Sequence, residues 1–290
     1  MKRLVINVTS CLASFTFGVA AFLFLNRIEY PVANEQPRVN ASVWCQTDPV
    51  VEPLTAIVAA PASSSNPEVV FGGGRLRIVP NEVQLKSERL RYKINVSYPQ
   101  IIGSEDLHIR ILNQRLKRVA AKQYEWPLSP SKTDLKYYRE KWPEVFNSVD
   151  VDYEIRSATG SMLSIYFNAY SYGIGAAHSV QYSFVVNYDL SLRKELELSD
   201  IFNPRSKYLE FISLYCGNQL SRQSDFIFKE ALAPRAENFD SWNVTPDGIR
   251  FNFDACRVFG CASGEQTVVI PFADLKQVLN RRAVTAFSKQ

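Results

Sequence analysis

Three successive runs place an apolar side chain at every second position. They are Val149, Val151, Tyr153 and Ile155; Leu163, Ile165, Phe167 and Ala169; and Val180, Tyr182, Phe184, Val186 and Tyr188. A period of two is the repeat of an extended chain, whose successive side chains point to opposite faces, so each run reads as a half-buried strand. Thr159-Gly160 supplies a hairpin turn between the first two, and Gly173-Ile174-Gly175-Ala176-Ala177 a glycine-punctuated turn before the third. Three such strands form an antiparallel meander with one apolar face that needs a lid. The expected fold class is therefore α+β: an antiparallel meander covered by helices, preceded by a smaller strand–helix unit and a disordered stalk.

The segment from Arg205 to Arg222 is a candidate for the lid, because Leu209, Ile212, Cys216 and Leu220 recur at helical spacing. Farther on, Pro246-Asp247-Gly248 is a turn between Trp242–Val244 and Ile249–Phe253, and a last strand from Thr267 to Ile270 leads into a short helix from Phe272 to Leu279. Upstream, Tyr92, Ile94, Val96 and Tyr98 alternate up to Pro99. A helix then opens at Gly103-Ser104, with Ser104 as the expected N-cap, Glu105 and Asp106 in its first turn, and Ile109, Leu112, Leu116 and Val119 along one face. A connection from Trp126-Pro127 to Trp142-Pro143 carries no assigned element.

The amino terminus reads as a membrane anchor. Met1-Lys2-Arg3 precedes an apolar run from Leu4 to Leu25, long enough for the roughly 20 residues that a bilayer requires. Lys2 and Arg3 lie before it, while Arg27 and Glu29 roughly cancel after it, which leaves the short amino end in the cytoplasm and the rest outside. A cleaved signal peptide is the competing reading, with Val32-Ala33-Asn34 as a poor cleavage site. In either case the bulk is expected to be extracytoplasmic, periplasmic or at the cell surface. The expected organisation is an anchor at 1–26, a Pro/Ala/Ser/Gly-rich stalk at 27–75, a smaller α+β unit at 76–148, a larger α+β domain at 149–282 and a tail at 283–290. Within the stalk, Gly72-Gly73-Gly74 reads as a hinge, since no Lys-Ser/Thr follows to make a phosphate loop.

Composition narrows the function. A net charge of +4 spread over 290 residues, with Lys and Arg interleaved among Asp and Glu, gives no basic stripe for nucleic acid. The chain has two histidines, His108 and His178, and no HxxxH, HExxH or CxxC spacing, which argues against a zinc hydrolase. No nucleophile motif or paired-carboxylate motif is present, so no cofactor, metal or catalytic residue is expected.

Several residues nonetheless invite assignment. Cys256 and Cys261 bracket a turn-sized ring that an oxidising compartment would close into a disulfide; two buried free thiols are the alternative. Cys216 falls on an apolar helix face and reads as a buried thiol, while Cys45 in the stalk has no evident intrachain partner. Asp150, Asp152 and Glu154 alternate with the apolar row and read as a solvated strand face rather than a calcium site. Tyr166, Tyr170 and Tyr172, on the opposite side of their strand from Ile165 and Phe167, offer contact area for ligand binding, with cross-strand packing as the alternative. His178 begins the third strand and is a structural hydrogen bonder or a ligand contact.

The string from Tyr170 to Phe202, with Gly-Ala-Ala-His at 175–178, Asn187-Tyr188-Asp189 and Leu198-Ser199-Asp200-Ile201-Phe202, resembles the RsiV-type extracytoplasmic domain family. That domain is shared by a lysozyme-sensing anti-sigma factor, RsiV, and by the non-catalytic part of the peptidoglycan deacetylase PdaC. The resemblance extends over about residues 90 to 280, and the Tyr98-Pro99-Gln100 strand end with its amphipathic helix is similar to the smaller domain that precedes the block in the family. It implies that Cys256 and Cys261 replace two family tyrosines together, as a cross-link requires. It implies further an envelope binding module whose partner is a lysozyme-like protein or cell-wall glycan. An accessory of a peptidoglycan-modifying enzyme or a structural envelope protein is the alternative. A three-residue cytoplasmic end leaves no room for the sigma-factor role.

Overall fold

The computed structural model describes residues 69–124, 132–159, 161–223 and 227–287. The expected anchor, the stalk up to residue 68, Cys45 and Gly160 lie outside the described residues. Among the described residues ten strands and six α-helices form a mixed α+β architecture, as the alternation predicts. Strands β1 (Val69–Phe71), β2 (Leu76–Ser87), β3 (Tyr92–Ile102), β4 (Asn147–Ala158), β5 (Met162–Tyr172), β6 (Val180–Asp189) and β7 (Lys194–Glu195) form one seven-stranded sheet in chain order. The expected meander is β4–β5–β6, paired antiparallel with Ile165 opposite Val186 and Val151 opposite Ala169.

Two features of this sheet depart from expectation. The first is at its start: Val69 to Phe71 pair with Ile78 to Leu76, so this part of the expected stalk is a strand, and Gly72, Gly73 and Gly74 form the turn between β1 and β2. All three glycines have positive φ, at 61°, 71° and 82°, where a Cβ is disfavoured. The second is at the expected boundary at 148, which lies inside β4; β3 pairs with β4 in parallel, Ile94 opposite Val149, and the sheet continues across it. Parallel neighbours need a crossover rather than a hairpin. That crossover carries helix α1 (Leu107–Lys122) and helix α2 (Lys132–Lys141), the latter in a stretch with no assigned element.

Helix α1 is the lid. Its Ile109, Leu112, Leu116 and Ala120 are buried in one apolar cluster with Ile94, Val96, Val149, Val151, Leu163, Ile165, Phe167 and Val186. Each fully buried Leu contributes about 1.5–3 kcal/mol, which exceeds what helix propensity alone could supply. The cap is Asp106 rather than Ser104, because its carboxylate accepts from His108 N at 2.9 Å. Ser104 instead accepts from Asp106 N.

The helix expected to cover the meander covers something else. Helix α4 (Tyr208–Leu220) buries Ile212, Cys216 and Leu220 in a second cluster with Phe251, Phe253, Val268 and Ile270. These belong to a three-stranded sheet ordered β10 (Gln266–Pro271), β9 (Gly248–Phe253), β8 (Trp242–Val244). Helices α3 (Leu198–Ile201), α5 (Phe272–Leu275) and α6 (Arg281–Phe287) complete that cluster through Ile201, Leu275 and Ala283. A helical period says which face is apolar but not which sheet it meets. The turn before Gly248 is present as expected, and a Cβ at Gly248 would stand 2.1 Å from the Ile270 carbonyl oxygen, so only glycine fits.

Candidate functional site

The sheet face turned away from α1 is largely polar, with Val185 an exception on β6, and it divides into two halves. Over Ser164, Asn187 and their neighbours the small sheet lies against β4, β5 and β6 through β8. Over β2 to β5 the face is open and forms a groove of about 430 Å³. The cross-strand register explains its lining. Gln84 stands opposite Asn95, Asn95 beside Asp150, Asp150 opposite Tyr170 and Tyr170 opposite Gln181, one polar row across five strands. In the next row Glu82 faces Ser97 and Asp152 faces Asn168. These rows exist because each strand's alternation puts its polar set on the same side.

Hydrogen bonds hold the rows in place. Asn95 Nδ2 donates to Asp150 Oδ1 at 2.7 Å, Gln181 Nε2 to Asn168 Oδ1 at 3.1 Å, and Asn168 Nδ2 to the Tyr170 hydroxyl at 3.3 Å. Tyr170 is 43% exposed on the groove side, and the Ser97 hydroxyl in the groove floor has no hydrogen-bond partner. The solvated acidic row anticipated at Asp150, Asp152 and Glu154 is exposed, and its first two members line the groove.

A buried polar cluster adjoins the groove along β5. Tyr166 is 2% exposed; its hydroxyl donates to the Glu265 carboxylate at 2.7 Å. Arg156 is the extra residue of a β-bulge opposite Ile165 and Ser164. Its guanidinium sits 4.9 Å over the Tyr166 ring and 2.8 Å from Glu154. Ser183 donates to Asp254 from both its backbone N and its hydroxyl, at 2.8 and 2.7 Å. Burial, with Asp254 nearby, pushes the Glu265 carboxyl above its ordinary value, although the Tyr166 hydrogen bond opposes the shift. Burial and the Glu265 carboxylate push the Tyr166 phenol up as well.

The expected binding residues therefore separate. Tyr170 lines the groove. Tyr172 lies one step beyond it on the same face, opposite Ser148, and is half-buried. Tyr166 is buried under the small sheet with its hydroxyl engaged by Glu265, so it braces two sheets and does not line the groove. His178 is exposed in the β5–β6 turn, its Nδ1 3.0 Å from the Ser179 carbonyl oxygen, and it does not line the groove. Glu82, Gln84, Asn95 and Ser97 are groove residues that the sequence reading did not single out. The sole signal for them was polar alternation in β2 and β3.

Cys256 and Cys261 are joined, Sγ to Sγ, with their Cα atoms 4.0 Å apart. The bridge closes the loop that leads through Gly264 to Glu265. Cys216 is a buried free thiol that burial pushes up to about 12, which makes it inert at neutral pH. Among the described residues no group of three or more His, Cys, Asp or Glu side chains is placed to hold a metal, and no helix is long and apolar enough to cross a membrane.

Comparison with known proteins gives this region a context. Residues 85–181 match the family described as Deacetylase PdaC, and residues 199–273 match the family described as protein of unknown function (DUF3298). A stretch of 143 residues is 33% identical to the peptidoglycan-N-acetylmuramic acid deacetylase PdaC of Bacillus subtilis (strain 168), covering 48% of this chain and 30% of that protein. The chain thus spans under a third of the length of the curated relative it matches. A DUF3298-family structure from Bacteroides fragilis superposes with a TM-score of 0.53 at 17% identity, over 74% of this chain and 98% of that one. That likeness shows the fold. A DUF3298-family structure from Pseudomonas aeruginosa gives 0.49 at 16% identity, over 72% and 95%.

Proposed function

We propose that this chain, which carries a PdaC/DUF3298-type domain of unknown function, is a binding module of the bacterial cell envelope that holds glycan in the groove of its large sheet. In this reading residues 4–25 tether it to the membrane with the described domain outside, and it acts as an accessory to cell-wall chemistry rather than as its catalyst. Relation to a peptidoglycan deacetylase supports the setting. The observation that carries the ligand class is the groove itself: amide, hydroxyl and carboxylate side chains in two registered rows, with an exposed tyrosine at the side. Sugars present closely spaced hydroxyls and apolar C–H faces, and such a mixture matches both, with the tyrosine contributing contact area at low entropic cost.

The test is cosedimentation of the full chain with purified peptidoglycan. Binding is expected, and Tyr170→Ala should weaken it by about 1–2 kcal/mol, the range for truncating an aromatic anchor at an interface. Absence of binding by the unaltered chain would sink the glycan reading. A lysozyme-like protein is the second reading, favoured by the carboxylates Glu82, Asp150 and Asp152, which would face a basic partner. Capture of lysozyme but not of peptidoglycan, abolished by Asp150→Ala, would select it. Acetate release from peptidoglycan by the purified chain would overturn the non-catalytic assignment.

A further inference from the structure

We infer that the groove selects amino sugars whose nitrogen is free and protonated over the same sugars in N-acetylated form. The inference rests on the glycan reading above and names the chemical class of its ligand. The lining holds the carboxylates Glu82, Asp150 and Asp152 and no Lys, Arg or His. Asp150 has an amide partner, Asn95 Nδ2 at 2.7 Å, and keeps its charge uncompensated by a cation; Glu82 forms no ion pair among the described residues. Across β3 these two carboxylates lie on strands about 10 Å apart, twice the strand spacing, and Asp150 and Asp152 sit about 7 Å apart along β4. Negative charge is thus spread over a length of glycan rather than focused on one point.

Charge, not hydrogen-bonding capacity, makes the distinction. An ammonium group has three donors and a positive charge, whereas an acetamido group is neutral and needs a donor for its carbonyl oxygen. Asn95 and Asn168 each commit one amide N–H, to Asp150 and to Tyr170, and keep the other. The groove can meet either group by hydrogen bonds, but its carboxylates attract only the ammonium and would repel a sugar carboxylate. Lys86 and Lys93 stand on the same face beyond the Gln84–Asn95 row, and Arg156, engaged by Glu154, stands at the other end, so the acidic stretch is bounded rather than continuous. A ligand with free amines would come from a reaction of the N-deacetylation class.

The experiment is calorimetric titration of the full chain in detergent with two oligosaccharides of equal length, a glucosamine hexamer and an N-acetylglucosamine hexamer. It is run at low salt and at mildly acidic pH, where the sugar amines are protonated. The free-amine hexamer is expected to bind about tenfold tighter, the sum of two or three exposed charge pairs, and to lose that advantage in salt. Asp150→Asn should lower the ratio about two- to threefold and Asp150→Asn with Glu82→Gln bring it close to one, with little change in thermal stability. Equal or tighter binding of the acetylated hexamer would overturn the amine preference and leave the glycan reading standing. Binding of neither hexamer would remove the glycan reading. Free-amine binding that survives both Asp150→Asn and Glu82→Gln, or equal binding of hexalysine, would overturn the inference, because the groove would then not be selecting the sugar amine.

Discussion

The outer face of the large sheet is written in one code and put to two uses. Along β5 the residues on that face are Ser164, Tyr166, Asn168 and Tyr170. The first two are buried at 0% and 2% exposure under the small sheet, while Tyr170 is 43% exposed in the groove. Under the small sheet most polar groups have a fixed partner, Asn252 Oδ1 and Arg156 Nε being exceptions. Ser164 Oγ donates to Asn187 Oδ1 at 2.6 Å and accepts from Asn243 Nδ2 and Val244 N at 2.9 and 3.0 Å, and Asn187 donates to the Trp242 carbonyl at 2.7 Å. In the groove the side chains bond sideways to one another and leave capacity over. Polarity on a strand face thus reports either an interface satisfied from within the protein or a surface free to meet a ligand.

Substitutions can break that contrast, beginning with the apolar face that serves as its reference. Phe167, fully buried and stacked on Phe184 at 4.7 Å, should cost about 3–5 kcal/mol as Phe167→Ala in denaturant unfolding. Asn243→Leu should cost about 2–4 kcal/mol, because it removes one donor to Ser164 Oγ, a donor to the Ile165 carbonyl oxygen and the acceptor of Asn252 Nδ2. A loss under 1 kcal/mol there would mean that the buried half is no more demanding than the open one.

The Glu265 site sharpens the comparison through pH. Its carboxyl is raised by burial, so the folded protein holds that proton to a higher pH than the unfolded chain does. The associated stability is fully present below the unfolded value, about 4.3, and is lost as pH rises through the folded value. Glu265→Gln should therefore flatten this falling limb in a plot of unfolding free energy against pH. An unchanged slope would show that the limb belongs to another group. At the small end, Asn168→Ala in the groove should change stability by no more than about 0.5 kcal/mol, while weakening retention on peptidoglycan. A stability loss like that of Asn243→Leu would turn the groove into one more structural interface.

Much of the architecture was legible in the sequence. The meander was visible in the alternation of Val149 to Tyr188, the core face of α1 in Ile109, Leu112 and Leu116, the turn at Gly248 in Pro246-Asp247-Gly248, and the burial of Cys216 in its helical spacing. Residue-level placement was less so. Tyr166 and Tyr170 are two positions apart in one strand, with the same residue type and the same facing, and no local signal says that only the first lies under Glu265. Asp106, two residues past the expected Ser104, caps α1 because both are good caps and the backbone chooses between them.

What the sequence determined by itself was local: which residues are extended, which are helical, and which side of each element is apolar. Those properties follow from backbone sterics and side-chain spacing, which act over a few residues. Partnership was left to the tertiary structure. It set α1 on the large sheet and α4 on the small one, ran the sheet through residue 148, and laid β8 over half of a polar face whose other half stays open. Those choices depend on contacts between segments far apart in the chain, where shape and hydrogen-bond satisfaction decide among faces that read alike. The groove exists because the small sheet stops where it does.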